Sequence, residues 1–258
     1  MAYDKVVDSS QLDSDLTSVA NAIRTKGGTS AQLTFPAGFV SAIGNIKTSG
    51  LELYTSNIRF KGADFITAGV PDVVLVSNNS NGLSLVSSFE STKAKTIFIS
   101  APTITSPHYG FMHNNEVETI TFNSGTGYVT GEFQSAFYNC SKLKYVLGSE
   151  LDMSTSSNTN TFYRTAALEE IRIKNNTIKS VAGWGLNTCP NLSDASIISF
   201  ANGLNDQTTG KAFSCHNTVK AKLDIIVGVV NNGVFVADPN GTIILRDFIT
   251  NTKGWSIA

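Results

Sequence analysis

The sequence predicts an α+β fold: an N-terminal helical segment over 1–50, a solenoid of short strands over 51–192 and a C-terminal α+β cap over 193–258. Three observations predict it. An apolar stripe at helical spacing lies near the N-terminus, one pattern recurs at almost constant spacing through the middle, and helical periodicity returns after residue 192. Of the 258 residues 15% are charged and 41% are hydrophobic, and the formal net charge is −1. Abundant Ser, Thr, Asn and Gly suit a turn-rich chain with a polar but uncharged surface, and the apolar content argues against disorder. Lys and Arg do not cluster, so a nucleic-acid partner is not expected.

In the first segment Leu12, Leu16, Val19 and Ile23 fall on one helical face. Ser10 and Asp13 mark the start, the acid lying where the helix dipole favours it, and Arg24, Lys26 and Gly27-Gly28 mark the end. Pro36 opens a second short helix carrying Phe39, Val40, Ile43 and Ile46, and Lys47-Thr48-Ser49-Gly50 reads as a linker. Helices this short cannot bury their stripes against each other alone. The partner is the rest of the chain, another copy or a larger particle. Leu12, Leu16, Val19, Ile23, Phe39 and Ile43 are therefore the candidate attachment or oligomerisation residues.

Four segments of the middle region align: Phe111-x-x-Asn114-x-x-Val117-x-x-Ile120, Phe137-x-x-Cys140-x-x-Leu143-x-x-Val146, Phe162-x-x-Thr165-x-x-Leu168-x-x-Ile171 and Leu186-x-x-Cys189-x-x-Leu192-x-x-Ala195. Their starts lie 26, 25 and 24 residues apart, and weaker copies at Ala94-x-x-Ile97 and Val70-x-x-Val73 extend the array backwards at 23 and 24. Each repeat offers one short strand, near 73–76, 96–99, 119–122, 144–147 and 170–173. One strand per repeat of 23–26 residues is leucine-rich-repeat geometry, whereas a β-helix should show three strands in a shorter coil. The small residue at the fourth position should sit at a turn and bond backbone amides, which gives Cys140 and Cys189 a structural role.

If Val117, Ile120 and Phe122 point inward, Thr119 and Thr121 face outward. The same register exposes Thr96 with Phe98, Tyr145 with Leu147, and Glu170 with Arg172. Phe98, Thr119, Thr121, Tyr145, Glu170 and Arg172 form the candidate ligand-binding patch, whose aromatic faces and forked donor suit a polysaccharide or a protein. Such a patch can equally be covered by a neighbouring subunit.

After the repeats, Ser193 caps a helix through Ile197, Ile198, Phe200, Ala201 and Leu204. A second helix is expected over Thr218 to Val230, stopped by Asn231-Asn232-Gly233. Val234-Phe235-Val236 reads as a strand, Asp238-Pro239-Asn240-Gly241 as a turn, and Ile243 to Ile249 as strand or helix. Trp255 is the expected core anchor of this cap.

No catalytic motif is present. Gly203 and Gly210-Lys211 are too far apart for a P-loop, and Ala212 stands where a hydroxyl is needed. His108 and His113 lack a third metal ligand, and Cys140, Cys189 and Cys215 form no CxxC pair. Glu116 with Glu118, Glu132, and Glu169 with Glu170 are the acids a glycosidase would need, but neighbouring acids on a strand face opposite ways. The expectation is a non-enzyme without cofactor or metal. No apolar run suits a signal peptide or a membrane span, so synthesis in the cytoplasm without membrane insertion is expected.

Two resemblances add to this reading. Leu16 to Ile43, with Lys26-Gly27-Gly28-Thr29-Ser30-Ala31 and Phe35-Pro36-Ala37-Gly38-Phe39, resembles an N-terminal segment recurring in tail and receptor-binding proteins of phages of Gram-positive bacteria. The Phe137 to Val146 pattern resembles the BspA-like class of leucine-rich repeats, over roughly residues 90–198, with Leu186 and Thr165 departing from it. Ile197 to Leu204 with Lys253-Gly254-Trp255-Ser256-Ile257 also resembles the C-terminal end of such phage repeat proteins. The resemblance implies a viral protein of the virion tail, baseplate or tail fibre, a homotrimer contacting other tail proteins and host cell-wall polysaccharide or surface protein in host attachment. A structural joining or spacer component is the alternative. A bacterial surface adhesin is a lesser one, disfavoured by the lack of a signal peptide or wall-sorting tail.

Overall fold

The computed structural model describes residues 14, 16–21, 32, 52–54, 72–77, 80, 82–92, 94–155, 158–181, 183–207 and 211–258. The chain divides into two units, Met1–Leu51 and Glu52–Ala258. In the first, residues 16–21 are helical, with Leu16 half-buried, Val19 exposed and Ala20 buried. Leu12, Ile23, Phe39 and Ile43 lie outside the described residues, as does the second expected helix.

The larger unit is a mixed α+β chain built on a β-solenoid. Strands β1 (Glu52–Tyr54), β2 (Asp72–Val76), β4 (Thr96–Ala101), β6 (Thr119–Ser124) and β8 (Tyr145–Gly148) form a five-stranded parallel sheet in that order. Strands β2, β4, β6 and β8 fall where the repeat spacing predicts them; β1 is not anticipated by it, and the strand expected near 170–173 is reduced to isolated bridges. An isolated bridge from Tyr145 to Glu170 continues the ladder into the last coil. Alternation puts Ile97, Ile99, Ile120, Phe122 and Val146 into the core, all at most 2% exposed, as period two requires.

Four coils, those of β2, β4, β6 and β8, also carry a second strand, which corrects the expectation of one. Strands β3 (Leu83–Ser84), β5 (Ile104–Thr105), β7 (Tyr128–Thr130) and β9 (Glu150–Leu151) form a four-stranded parallel sheet. They are two or three residues long, with one buried residue each, too short to show an alternating pattern.

The repeated Phe motif makes the third side. There the N–H groups of Tyr109, Phe111 and His113 donate to the carbonyls of Gln134, Ala136 and Tyr138 in the next coil, at 2.9–3.0 Å. Tyr109, His113, Ser135, Asn139, Asn160 and Arg164 hold positive φ in these turns. Phe89, Phe111, Phe137 and Phe162 stack through the core at centroid spacings of 5.3, 5.6 and 5.7 Å. Trp184 then takes the ring position at 6.1 Å, while Leu186 opens the 3₁₀ turn leading to Cys189.

The fourth motif position bonds carbonyls rather than the expected amides. Cys140 Sγ donates to the carbonyl of Phe111 at 2.9 Å, Thr165 Oγ1 to that of Phe137 at 2.7 Å, and Cys189 Sγ to that of Phe162 at 3.6 Å. Asn114 donates likewise to Phe89. The ring residues' amides donate to the following coil, and their carbonyls, each already accepting from the N–H three residues on, take this side-chain donor as a second bond.

Helix α1 (Asp194–Gly203) closes the solenoid, with the Ser193 hydroxyl accepting from Ser196 N at 3.2 Å as the expected cap. Helix α2 spans Asn217–Leu223 and stops short of the expected Val230. Residues Val227–Asn231 instead form β11, which pairs antiparallel with β12 (Val234–Ala237). Asn232 and Gly233 both have positive φ, so they make a hairpin turn rather than a helix stop. The β-branched run and Gly228 favour a strand over a helix. The ambiguous stretch from Ile243 is both: β13 (Ile243–Ile244) pairs with β11, and α3 (Leu245–Asp247) runs into a π-helical turn, Phe248–Thr252. Strand β10 (Lys211–Phe213) pairs in parallel with β14 (Trp255–Ile257). Trp255 is 1% exposed and its Nε1 donates to the Asn205 carbonyl at 2.8 Å, the anchoring role expected of it.

Candidate functional site

The sheet of long strands brings most of the predicted patch together. Thr96 pairs with Thr119, Thr119 with Tyr145, and Tyr145 with Glu170, which makes one outward file across four coils. Phe98, Thr121 and Leu147 make a second file beside it. Neighbouring members of a file are spaced by the strand separation of about 4.8 Å. Thr96 and Glu170 are exposed, and Phe98, Thr119, Thr121, Tyr145 and Leu147 half-buried. Tyr145 is held in place by its phenol, which donates to Glu169 Oε2 at 3.3 Å. The Glu169 carboxylate raises the Tyr145 pKa by its charge and by this bond, so the phenol stays neutral.

Arg172 does not complete the second file. Its carbonyl accepts from Leu151 N at 2.9 Å, and Leu151 bridges to Ile173. Tyr145 bridges to Glu170 and Leu151 to Ile173, so the last coil covers in three residues what the coil before covers in six. The longer corner is turned at Gly148, with φ 83°. A Cβ at Gly148 would lie 2.0 Å from the Phe122 carbonyl oxygen, so this corner requires glycine.

Beside these corners is an open cleft of about 420 Å³. Leu147 and Glu150 line it from one coil, Glu170, Arg172 and Asn175 from the next, and α1 and β12 close it. Of the α1 residues that line it, Ala195, Ile198, Ser199 and Asn202 follow an i, i+3, i+4, i+7 spacing, with Ser196 beside them. That stripe adjoins the buried one, and nothing in the sequence alone says which strands face it. Val234 of β12 comes from the hairpin and could not be anticipated.

The remaining candidates for chemistry are engaged elsewhere. Glu116 pairs with Lys142 at 2.7 Å, Glu132 lies 3.6 Å from His108 Nδ1, and Asn139 contacts His113 Nδ1 at 3.2 Å. Burial pushes the Cys140 and Cys189 thiols up to about 12 and that of Cys215 up to about 11. At neutral pH none of the three carries the thiolate that nucleophilic chemistry needs. Among the described residues no group of three or more His, Cys, Asp or Glu is placed to hold a metal, and no helix is long and apolar enough to cross a membrane. Compared with protein families, curated proteins and solved structures, the chain matches none.

Proposed function

We propose that the chain is a non-enzymatic binding protein of a phage tail, baseplate or tail fibre, and that the outer strand face of a leucine-rich-type solenoid contacts the host receptor. The observation that carries this reading is the in-register outward file from Thr96 to Glu170, a rigid polar and aromatic surface held on core-anchored strands. Solenoids commonly bind through such stacked surfaces. The resemblance of Leu16 to Ile43 to tail-protein N-termini supports placement in a virion. On the same resemblance the N-terminal segment attaches the chain to other tail proteins and assembles it as a homotrimer.

A joining or spacer role is the second reading, and one surface favours it. The outer face of the small sheet carries Val227, Val229, Val236 and Ile244, and Val236 is 45% exposed with Ile225 nearby in sequence at 73%. Apolar faces of this kind suit a protein neighbour.

The test is a pull-down of the purified chain on intact Gram-positive cell walls, with its mass measured in solution. Saturable binding by a trimer that is lost in Tyr145→Ala, without a change in melting temperature, is the expected result. An oligomer that does not bind walls would overturn the receptor role and leave the joining role.

A further inference from the structure

We propose that the cleft at the end of the strand face is a binding site for an anionic saccharide unit, with Arg172 holding the acidic group. The inference rests on the receptor-binding reading and names the chemistry of one end of that surface. The cleft exists because the last coil cuts its corner short, and its volume of about 420 Å³ falls in the range of small-ligand sites, roughly 300–1,000 Å³.

Three side chains with hydrogen-bonding ends line the cleft and are exposed: Glu170, Arg172 and Asn175. Neither Glu170 nor Arg172 forms an ion pair among the described residues, whereas Lys174 beside them is paired with Asp152 at 2.8 Å. A guanidinium offers a planar fork that matches a carboxylate or a phosphate in two parallel bonds. Glu150 and Glu170 line the same cleft, and neither is ion-paired with Arg172, so they are placed to accept hydroxyls of a ligand whose acidic group the fork holds. Leu147, Ile198 and Val234 supply an apolar wall for the C–H face of a sugar ring.

The main chain excludes the other common mode, addition of a peptide strand. The N–H groups of Ile171 and Ile173 already donate to the hydroxyls of Ser196 and Ser199, at 3.0 and 2.7 Å. Recognition here belongs to side-chain ends, and an acid flanked by hydroxyls satisfies them.

Titration of the full chain by calorimetry tests this with glucuronic acid and glucose 1-phosphate as anionic probes, and glucose and inorganic phosphate as controls. Saturable binding of one or both anionic sugars is expected, tighter than either control; which one binds separates a carboxylate from a phosphate ligand. Arg172→Gln, a change at an exposed side chain, should weaken that binding at least about tenfold, the loss of one charge-assisted pair. Val234→Trp, which fills the cleft from the hairpin, should abolish it. Equal binding by Arg172→Gln, no binding of either sugar, or binding of inorganic phosphate as tight as the sugars would each overturn the proposal. Cell-wall binding that persists unchanged in Arg172→Gln overturns the cleft but leaves the strand face standing. Sugar binding without cell-wall binding does the reverse.

Discussion

At the scale of single residues, one side-chain donor per coil ties the Phe stack of one coil to the next. Every ring residue carries a backbone carbonyl into a dry core, and the side chain three positions later in the following coil donates to it. Asn, Cys and Thr all serve, because each is small and ends in a donor. This explains why the repeat tolerates Thr165 in place of cysteine. It also fixes how the thiols respond to pH. Burial raises Cys140 and Cys189 from 9.0 to about 12, so above pH 9 the unfolded chain releases protons that the folded chain retains. Their contribution is complete below the unfolded value of 9.0 and is lost as pH rises through the folded value near 12. Replacing both by Ser keeps a donor and removes the titration. Urea midpoints at pH 8 and pH 10.5 should therefore fall less for the double variant than for the parent. Parallel falls in the two proteins would show that these thiols are not the source. Cys140→Val, which has no donor, should cost about 1 kcal/mol at pH 8, below the range in which the thiol titrates.

At the scale of elements, the end of the solenoid is closed by a helix acting in place of a strand. The last coil presents N–H groups at Ile171 and Ile173 with no further strand to receive them. Ser196 and Ser199, three apart on α1, supply the acceptors, and Asn202 one turn on receives Phe235 N at 2.7 Å and donates to its carbonyl at 2.9 Å. One helix face thus ends the sheet, docks the hairpin and lines the cleft. The helix itself was legible from Ser193 and the Ile197, Phe200, Leu204 stripe. Its polar face was not, because the serines read as ordinary solvent-facing residues until the strand end they cover is known. Ser196→Ala with Ser199→Ala leaves two strand N–H groups short of an acceptor, each costing about 1–3 kcal/mol. The double variant should melt several degrees lower, with amide exchange accelerated first at Ile171 and Ile173. Unchanged exchange there would mean that water replaces the serines without loss.

At the scale of the whole molecule, what the sequence discloses and what it hides have one cause. The long strands were legible because Ile97, Ile120 and Val146 repeat at fixed distance from a motif with few alternatives. The second strands were hidden, since Leu83, Ile104, Val129 and Leu151 are single buried residues in short segments whose distance from the motif varies from coil to coil. That variation is also what makes the cleft: a corner shortened in one coil leaves a gap that a regular repeat would fill. The C-terminal strand β11 was misread because Ile226, Val227 and Val230 satisfy a helical period as well as a strand, and only Asn232-Gly233 in positive φ decides between them. A nearest-neighbour architecture makes the larger unit's stability a sum of coil interfaces and its cap. The division at Leu51 then predicts separable roles for the two units. Deleting residues 1–51 should leave a cooperatively folded chain with the parent's melting temperature within a few degrees, while the mass in solution falls from an oligomer to a monomer. A deletion variant that keeps the parent's stoichiometry would move the association surface onto the larger unit, where the apolar outer face of β11 and β12 is the place to look. A variant that no longer folds would show instead that the first unit completes the solenoid, and that its apolar stripe was never free for another copy.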